Sequence, residues 1–281
     1  MSATWDSEEA PEAVRLSALD WLRAMLRAIP LVVLVFGCLG ILLVVRVIER
    51  PVFGQHRPLT PWITQFVCRN AFRIMGIRFH SSGALMTQRG AIVANHSSWL
   101  DIFALNARER IYFVSKAEVA GWPGIGWLAR ATGTVFIRRD RKEARQQAQI
   151  FKDRLEVGHK LLFFPEGTST DGLRVLPFKS TLFAALFSND YQDQMFVQPV
   201  AVVYRAPDGV SRRFYGWWGD MDFGSHLIKT LGAARQGGVE VLYLPPVRVL
   251  DFPDRKALSQ HLESCVRDAH TASLEAGARA P

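Results

Sequence analysis

Short apolar runs alternate with amphipathic stretches over most of the chain after about residue 63. The runs "GAIVAN", "IYFVSK", "GTVFIRR", "KLLFFPEG", "FVQPVAVVY" and "VEVLYLPPV" predict strands. The stretches between and after them predict helices at residues 97–106, 122–131 and 140–157, at "PFKSTLFAALF", and at residues 255–274. Short apolar strands that alternate with helices indicate an α/β fold with a mostly parallel sheet, flanked by helices and buried on both faces.

The helix predicted at residues 140–157 has the clearest periodicity. Ala144, Ala148, Phe151 and Leu155 are spaced four, three and four residues apart, which places them on one helical face. Gly158 follows directly and is well suited to end the helix, because glycine adopts the left-handed conformation that closes a helix C-terminus.

A different pattern occupies the N-terminal part, where residues 28–45 form an uncharged run of 18 residues. This length approaches the roughly 20 residues that cross a bilayer core. The first twelve residues are acidic, which is atypical of a secretory signal, and a wholly buried helix would need protein on every side. We therefore predict a helix associated with a membrane. Because arginines flank the run on both sides, its orientation, and whether it spans or lies in the interface, stay open.

These patterns divide the chain into four segments. Residues 1–21 form an acidic tail, residues 22–50 the membrane-associated helix and residues 51–62 a linker rich in Pro and Arg. Residues 63–281 form the globular domain, which is long enough to bury a proper core.

The net charge and the cysteine content indicate which binding partners and which cellular compartment the protein suits. The formal net charge is +8 with a pI near 9.7, which suits an anionic partner such as a nucleic acid, a membrane surface or an acidic carrier protein. Cys38, Cys68 and Cys265 lie far apart without a CxxC pair. This usage fits a reduced compartment and argues against both a disulfide framework and a zinc site.

The candidate chemistry lies at the predicted strand ends, where functional groups gather in parallel sheets. "NHSSWLD" follows the first apolar strand and contains His96 and Asp101. A carboxylate can hold a histidine in the tautomer of a neutral general base. If His96 lies in the turn and Asp101 in the first turns of the helix, with Ser97 or Ser98 as the cap, the carboxylate can fold back beneath the ring. Taken alone, such a pair is more often structural than catalytic.

Two further stretches occupy strand ends, "FIRRD" and "FPEGTSTDG". The first concentrates positive charge, and the second is dense in turn-forming residues and could equally be an ordinary loop. The chain contains no GxSxG, P-loop, HExxH or GxGxxG. A base without a protein nucleophile suggests that the hydroxyl of a substrate attacks, which is acyl transfer to an alcohol.

Taken together, these stretches resemble the glycerolipid acyltransferase family typified by bacterial 1-acylglycerol-3-phosphate acyltransferase. The blocks that carry the resemblance occur in order between about residues 70 and 205: "NHSSWLD", "FIRR", "FPEGT" and "VQPVAVVY". The resemblance implies that His96 is the base and Asp101 its orienting partner. It also implies that Arg139 helps to hold the acceptor, and that Glu166, Gly167 and Thr168 shape the acceptor site.

The resemblance further implies a lysolipid acceptor and an acyl thioester donor, either acyl-CoA or acyl carrier protein, with no metal, no other cofactor and no acyl-enzyme. It places the protein at the inner membrane with the catalytic domain on the cytoplasmic face. The positive net charge suits both an acidic carrier and an anionic leaflet.

One position departs from the usual third block, which continues with an arginine where this chain has Ser169. The form "EGTSTDGLRVLPFKSTLF", together with "GWWGDMDFGSHL", resembles the branch that acylates lyso-ornithine lipid. A phosphate headgroup is best held by an arginine fork, whereas hydroxyl side chains suit an amide. Lyso-ornithine lipid is therefore the favoured acceptor and lysophosphatidate the alternative, since Arg139, Arg174 and Lys179 could compensate.

Two other classes of protein compete with an enzyme. A lipid-binding protein without catalysis would need the anchor and the basic charge, but not an ordered histidine and aspartate. A nucleic-acid-binding protein would explain the positive charge, yet the basic residues do not fall within a recognisable binding motif, so we expect no nucleic-acid partner.

Overall fold

An eight-stranded sheet forms the centre of the molecule in the computed structural model, which describes residues 5–7, 16–138, 144–187 and 194–279. The strands are β1 (Arg78–Ser82), β2 (Gly90–Ala94), β3 (Tyr112–Lys116), β4 (Val135–Ile137), β5 (Leu161–Phe163), β6 (Phe196–Arg205), β7 (Gly238–Tyr243) and β8 (Val247–Arg248). The helices are α1 (Ala18–Phe53), α2 (Thr60–Met75), α3 (Asp101–Arg108), α4 (Ile125–Thr132), α5 (Ala144–Glu156), α6 (Ala184–Phe187), α7 (Phe223–Gly232) and α8 (Arg255–Arg279).

The strand order is β1-β7-β6-β2-β5-β3-β4, with β8 paired to β6. β2 lies between β5 and β6 and is parallel to both, and β3 is parallel to β4 and β5. The antiparallel pairs are those that β6 makes with β7 and β8. The predicted α/β fold with a mostly parallel sheet is therefore confirmed, and the carboxyl ends of β2, β4 and β5 share one edge.

Both faces of the sheet are covered. On one face α2, α3 and α7 contribute to a buried core with Phe72, Leu105 and Leu231. On the other face α5 and α8 contribute Phe151, Leu155 and a row of apolar residues from α8, at positions Leu258, Leu262 and Val266. Every residue of β2 is buried, as expected for a central strand that lies between two helical layers.

Helix α1 is long, apolar and largely exposed. It begins with a capping box between Ser17 and Asp20 and runs for 36 residues. It is the one helix among the described residues that is long and apolar enough to cross a membrane, and 11% of its most apolar window is buried. Its buried residues contact the protein, whereas side chains such as Val33 and Val47 are 67% and 73% exposed.

The connection after α1 is shorter than the predicted linker of residues 51–62. Pro51 lies inside the last turn of α1, and α2 already begins at Thr60 with Pro61 in its first turn. Proline is tolerated in the first turn of a helix because the N–H that it lacks has no partner there. The buried carboxylate of Glu49 accepts hydrogen bonds from the N–H groups of Leu59 and Thr60, so it fixes the turn between the two helices.

Other boundaries differ from the sequence prediction for local reasons. The late strand is divided into β7 and β8 because two prolines separate them and proline has no N–H for the ladder. The predicted helix "PFKSTLFAALF" is a short 3-10 turn, Ser180–Phe183, followed by α6. Helix α4 starts at Ile125, after Pro123 and Gly124. Of the predicted helix 140–157, residues 140–143 lie outside the described residues, and Gly158 ends α5 with a φ of 79°.

Candidate active site

The turn after β2 is held against β6 by Asn95. The Asn95 side chain accepts a hydrogen bond from the Val202 N–H at 2.7 Å and donates to the Val202 carbonyl at 2.9 Å. It thereby continues the β2–β6 pairing for one more step after the strand has ended. The next residue, His96, is therefore presented from a rigid position at the carboxyl edge of the sheet.

His96 and Asp101 are brought together in this turn. The distance from His96 Nδ1 to Asp101 Oδ2 is 2.7 Å. The carboxylate is fully buried, whereas 19% of the His96 side chain is exposed. Because Nδ1 donates its proton to the carboxylate, the remaining nitrogen, Nε2, is the one free to accept a proton from another molecule.

The turn between the two residues is built differently from the expected serine cap. Helix α3 begins at Asp101, and the Asp101 Oδ2 atom accepts hydrogen bonds from the N–H groups of Ser97 and Ser98 at 2.8 and 3.1 Å. The expectation that Ser97 or Ser98 caps the helix is therefore wrong. The carboxylate folds back over the turn instead, and the same contacts direct it at the imidazole.

Tyr204 completes the environment of Asp101. Its hydroxyl donates to Asp101 Oδ1 at 2.7 Å, across 103 positions of sequence. Burial and the neighbouring Asp101 charge raise the pKa of Tyr204 well above its usual value, so the phenol stays protonated and remains a donor. Each carboxylate oxygen of Asp101 thus has its own donors, which compensates for the burial of a charged group.

Two residues after β5 support His96 from the other side. The ring of Phe164 stacks on the His96 imidazole with 4.0 Å between centroids. The Glu166 side chain accepts from the His96 N–H and from the Leu176 N–H, each at 2.7 Å. Burial raises the pKa of Glu166 to about 8, against the opposing effect of these two N–H donors. Glu166 thus connects the loop after β5 to the backbone of the histidine.

The loop that follows Glu166 turns sharply beside this pair. Gly167 has a φ of 74°, in the left-handed region that favours glycine. Thr170 donates from its N–H to the His96 carbonyl at 3.0 Å, which fixes the far side of the loop. Thr168 and Ser169 lie between these points and are half-buried. The structure therefore places Glu166, Gly167, Thr168 and Ser169 in one loop next to His96.

Arg139, the remaining predicted site residue, lies outside the described residues. Arg174, which could replace the missing arginine of the third block, is held by Asp171 at 3.0 Å. Asp171 is fully buried and also forms an ion pair with Arg213 at 3.2 Å. Two arginines therefore share one carboxylate beside the loop, and 47% of the Arg174 side chain remains exposed.

A third segment, from the "GWWGD" stretch, closes around the same turn. The Trp217 N–H donates to the Ser97 carbonyl at 2.9 Å. The N-terminal Trp5 joins this segment to the loop after β5, because its N–H donates to Thr168 Oγ1 and its carbonyl accepts from the Gly219 N–H. The surroundings of His96 therefore include Trp5 from the N-terminal region together with the distant "GWWGD" stretch.

Several of these residues were missed by sequence reasoning, namely Asn95, Phe164, Tyr204, Asp171 and Trp5. Asn95 and Phe164 stand directly beside the recognised blocks, and their position immediately after a strand was the available signal. Tyr204 is the last buried residue of an apolar strand, where a tyrosine normally indicates packing. Trp5 carried no signal, since it lies in an acidic tail.

Proteins of similar sequence are acyltransferases. A family model described as "Acyltransferase" matches residues 76–203. The chain is 56% identical over 245 residues to the lyso-ornithine lipid O-acyltransferase of Rhodobacter capsulatus, covering 87% of this chain and 89% of the relative. It is 37% identical over 220 residues to the enzyme of the same name from Brucella abortus, covering 73% and 80% of the two chains.

The fold agrees as well. The crystal structure of a 1-acyl-sn-glycerophosphate acyltransferase from Thermotoga maritima superimposes with a TM-score of 0.63 at 21% identity, covering 94% of this chain and 97% of the other. The extent of the match to the Rhodobacter relative and the family model together establish membership. This chain is a member of the acyltransferase family.

Proposed function

We propose that this protein is a membrane-bound lysolipid O-acyltransferase that moves an acyl group from a thioester to the hydroxyl of lyso-ornithine lipid. The observation that carries the chemistry is His96, half-enclosed and bonded through Nδ1 to a fully buried Asp101. The acceptor is supported by the relatives, whose names specify lyso-ornithine lipid. The donor is acyl-CoA or acyl carrier protein, and the reaction uses no metal or other cofactor.

In this mechanism His96 Nε2 accepts the proton of the acceptor hydroxyl while that oxygen attacks the thioester carbonyl. Asp101 keeps the tautomer and stabilises the imidazolium that forms. The proton then passes to the leaving thiolate, so one oxygen–carbon bond forms and one sulfur–carbon bond breaks. Asp101 is held in place by hydrogen bonds from Tyr204 and from two backbone N–H groups.

We assign membrane association to the helical segment, which the structure extends to Ala18–Phe53, and acyl transfer to the globular domain that follows it and begins with α2 at Thr60. The length, apolar character and exposure of α1 support this division. The proposed location is the inner membrane, with the catalytic domain on the cytoplasmic face where acyl thioesters are available.

The acceptor is assigned to the loop that contains Glu166, Gly167, Thr168 and Ser169. Arg139, which lies outside the described residues, is proposed as a further contact to the acceptor. Ser169 offers a hydroxyl that both donates and accepts, which suits the amide of an amino-acid lipid. Arg174 forms an ion pair with Asp171, so the positive charge of Arg174 is partly compensated. A phosphate carries up to two negative charges and favours an unshared arginine fork in this place.

The test compares kcat/KM for lyso-ornithine lipid and lysophosphatidate, using the full chain and Ser169→Arg. We expect the full chain to prefer lyso-ornithine lipid and the added arginine to shift the preference toward lysophosphatidate. Ser169→Gln is the matched control, because it adds similar length without charge. A tenfold preference of the full chain for lysophosphatidate would overturn the assignment of lyso-ornithine lipid as the acceptor. The absence of transfer to any lysolipid would overturn the proposal that the protein is a lysolipid acyltransferase.

A further inference from the structure

Basic side chains cluster at the edge of the sheet opposite to His96. A cavity of about 520 Å³ opens between the start of α2, the amino end of β3 and the amino end of β5. The strand β2 that ends at the catalytic turn has five residues, which span about 16 Å. The cavity is therefore separate from the acyl-transfer site, and the proposed reaction makes no use of it.

The lining of this cavity is strongly positive. Its charged side chains are Glu109 and five cations, Arg57, Arg69, Arg108, Arg110 and Lys160. The carboxylate of Glu109 is already bonded to Lys160 at 2.6 Å. Within the described part of the chain, none of the four arginines has a carboxylate within 4 Å. Four guanidinium groups and the Lys160 ammonium thus line one space in which Glu109 is the single carboxylate among the described residues.

Two of the arginines are held in position by backbone oxygens. Arg57 donates to the Ala131 carbonyl at 2.7 Å, and Arg69 donates to the Ala107 carbonyl at 2.6 Å. Each guanidinium carries five N–H groups, so most of its donors remain for a ligand. Fixed, charged donors of this kind are the usual means of recognising a phosphate.

A buried histidine in the wall strengthens this assignment. His159 is 6% exposed, and neither ring nitrogen has a hydrogen-bond partner among the described residues. Burial and the nearby Arg154 and Arg57 lower the pKa of His159 to about 3, so the ring is neutral and has one N–H to donate. A buried polar group of this kind is costly in a folded protein unless a partner from outside the chain satisfies it, and a ligand in the cavity can do so.

The position of the mouth indicates where the ligand comes from. Trp62 stands at the mouth, 56% exposed, with the Arg110 guanidinium 3.9 Å from its ring centroid. Leu59 and Phe66 beside it are 55% and 56% exposed, and α1 ends next to them. Exposed tryptophan, apolar side chains and arginine at one rim are the composition that proteins use at the headgroup level of a bilayer.

A neighbouring cavity extends the basic surface. It measures about 310 Å³ and shares Arg69 and Arg108 with the first cavity, and it adds Arg73. The arginines therefore form a strip along the start of the globular domain, close to α1, and the strip is suited to a layer of anionic groups. We propose that the larger cavity binds the phosphate-bearing headgroup of an anionic bilayer lipid, with Arg108 and Arg110 at its mouth.

The experiment measures binding of short-chain phospholipids to the full chain in neutral detergent. Dihexanoyl phosphatidylglycerol, dihexanoyl phosphatidylcholine and inorganic phosphate are titrated separately, with tryptophan fluorescence as the signal. Trp62→Phe identifies the part of the signal that comes from the mouth of the cavity. We expect saturable binding of phosphatidylglycerol and weaker binding of the other two probes.

Arg108→Gln with Arg110→Gln tests the residues, because both side chains are exposed and neither is paired to a carboxylate. We expect this double variant to weaken phosphatidylglycerol binding about 30-fold, the loss expected for two arginines near an anionic headgroup. Arg212→Gln with Arg235→Gln is the matched control, since both are exposed, carry the same charge and line neither cavity. Thermal unfolding checks that both variants are folded.

Four outcomes would overturn the proposal. Equal binding of phosphatidylglycerol and phosphatidylcholine would show that the site does not select an anionic headgroup. Equal losses of binding in the two double variants would show that the lipid does not bind in this cavity. Inorganic phosphate that binds as tightly as the lipid, or acyl carrier protein that displaces it, would assign the site to another ligand. None of these outcomes bears on acyl transfer, which depends on the opposite edge of the sheet.

Discussion

At the scale of residues, Asp101 receives donors from two different parts of the chain. The N–H groups of the turn reach Oδ2, while the Tyr204 hydroxyl reaches Oδ1 from β6. This arrangement supplies donors to both oxygens of a buried carboxylate and aims it at one nitrogen of His96. The consequences can be tested one side chain at a time.

Removal of the base has the largest expected effect. His96→Ala should lower acyl transfer by about 10²–10⁴-fold, because a positioned general base contributes that much. Asp101→Asn should lower it severely as well, since an amide supports neither the required tautomer nor the imidazolium. The measurement is thioester cleavage in single turnovers with saturating acceptor. Transfer at close to the original rate in His96→Ala would exclude histidine as the base, provided that the variant stays in the membrane fraction.

Tyr204→Phe tests the more distant support. The change deletes one donor to Asp101 and leaves the ring in place. A lost hydrogen bond to a charged group costs about 1.5–3 kcal/mol, and here the loss leaves the carboxylate less firmly oriented. We expect a fall of about tenfold or more in kcat with KM nearly unchanged. Tyr243→Phe is the matched control, because its hydroxyl is also buried but lies on β7 without a partner among the described residues. A similar loss of kcat in both variants would refute the specific role of Tyr204.

At the scale of elements, α1 combines two surfaces. One side packs on the protein, where Arg27 donates to the carbonyls of Leu231 and Ala233 at the end of α7. The opposite side exposes Val33, Val44 and other apolar residues. Large exposed apolar surfaces on a folded protein mark contacts with a membrane or a partner.

A chain that begins at Glu49 should therefore leave the membrane fraction in high salt. Because this truncation also removes packing against α7, a second variant is needed. Val33→Lys, Val44→Lys and Val47→Lys together change exposed positions and retain the buried ones. We expect this variant to remain folded, by circular dichroism, and to sediment less with membranes. Full retention of both forms would place the anchor elsewhere in the chain, although not at Trp218, which is 4% exposed.

At the scale of the whole molecule, three buried histidines are a common feature. Burial lowers the pKa of His159 and His226 to about 3 and that of His270 to about 4. In the unfolded chain histidine titrates near 6.5, so below that pH the unfolded state binds protons that the folded state does not. The stabilising contribution is complete above about pH 6.5 and is lost as the pH falls toward 3.

We therefore expect the thermal unfolding temperature to fall between about pH 7 and pH 5, with each histidine contributing at most about 1.4 kcal/mol per pH unit. His270→Gln should make this pH dependence shallower, because one of the three groups is removed. His261→Gln on the exposed face of α8 is the control and should leave the slope unchanged. Identical slopes in all three proteins would contradict the assignment.

The alternation of apolar runs was sufficient to predict the parallel sheet, because burial on both faces requires continuous apolar strands and leaves a record in the sequence. The spacing of His96 and Asp101 predicted their contact on the condition that His96 lies in the turn and Asp101 in the first turn of the helix, and the structure has this arrangement. The local boundaries were predicted less well. The carboxylate of Asp101 took the role expected of a serine cap, and this competition among neighbouring polar groups depends on the folded turn.

What the tertiary structure decided is which distant residues meet. Tyr204 reaches Asp101 only because β6 pairs with β2, and Trp5 reaches the loop after β5 across 163 positions. The arginine cavity likewise combines residues from α2, from the end of α3 and from the amino end of β5. Sequence patterns report local periodicity and burial, whereas contacts between separate segments are set by strand order and helix packing. For that reason the sequence by itself determined the fold class and singled out His96 and Asp101 as a candidate pair. The fold determined the groups that support this pair and the arginine-lined cavity.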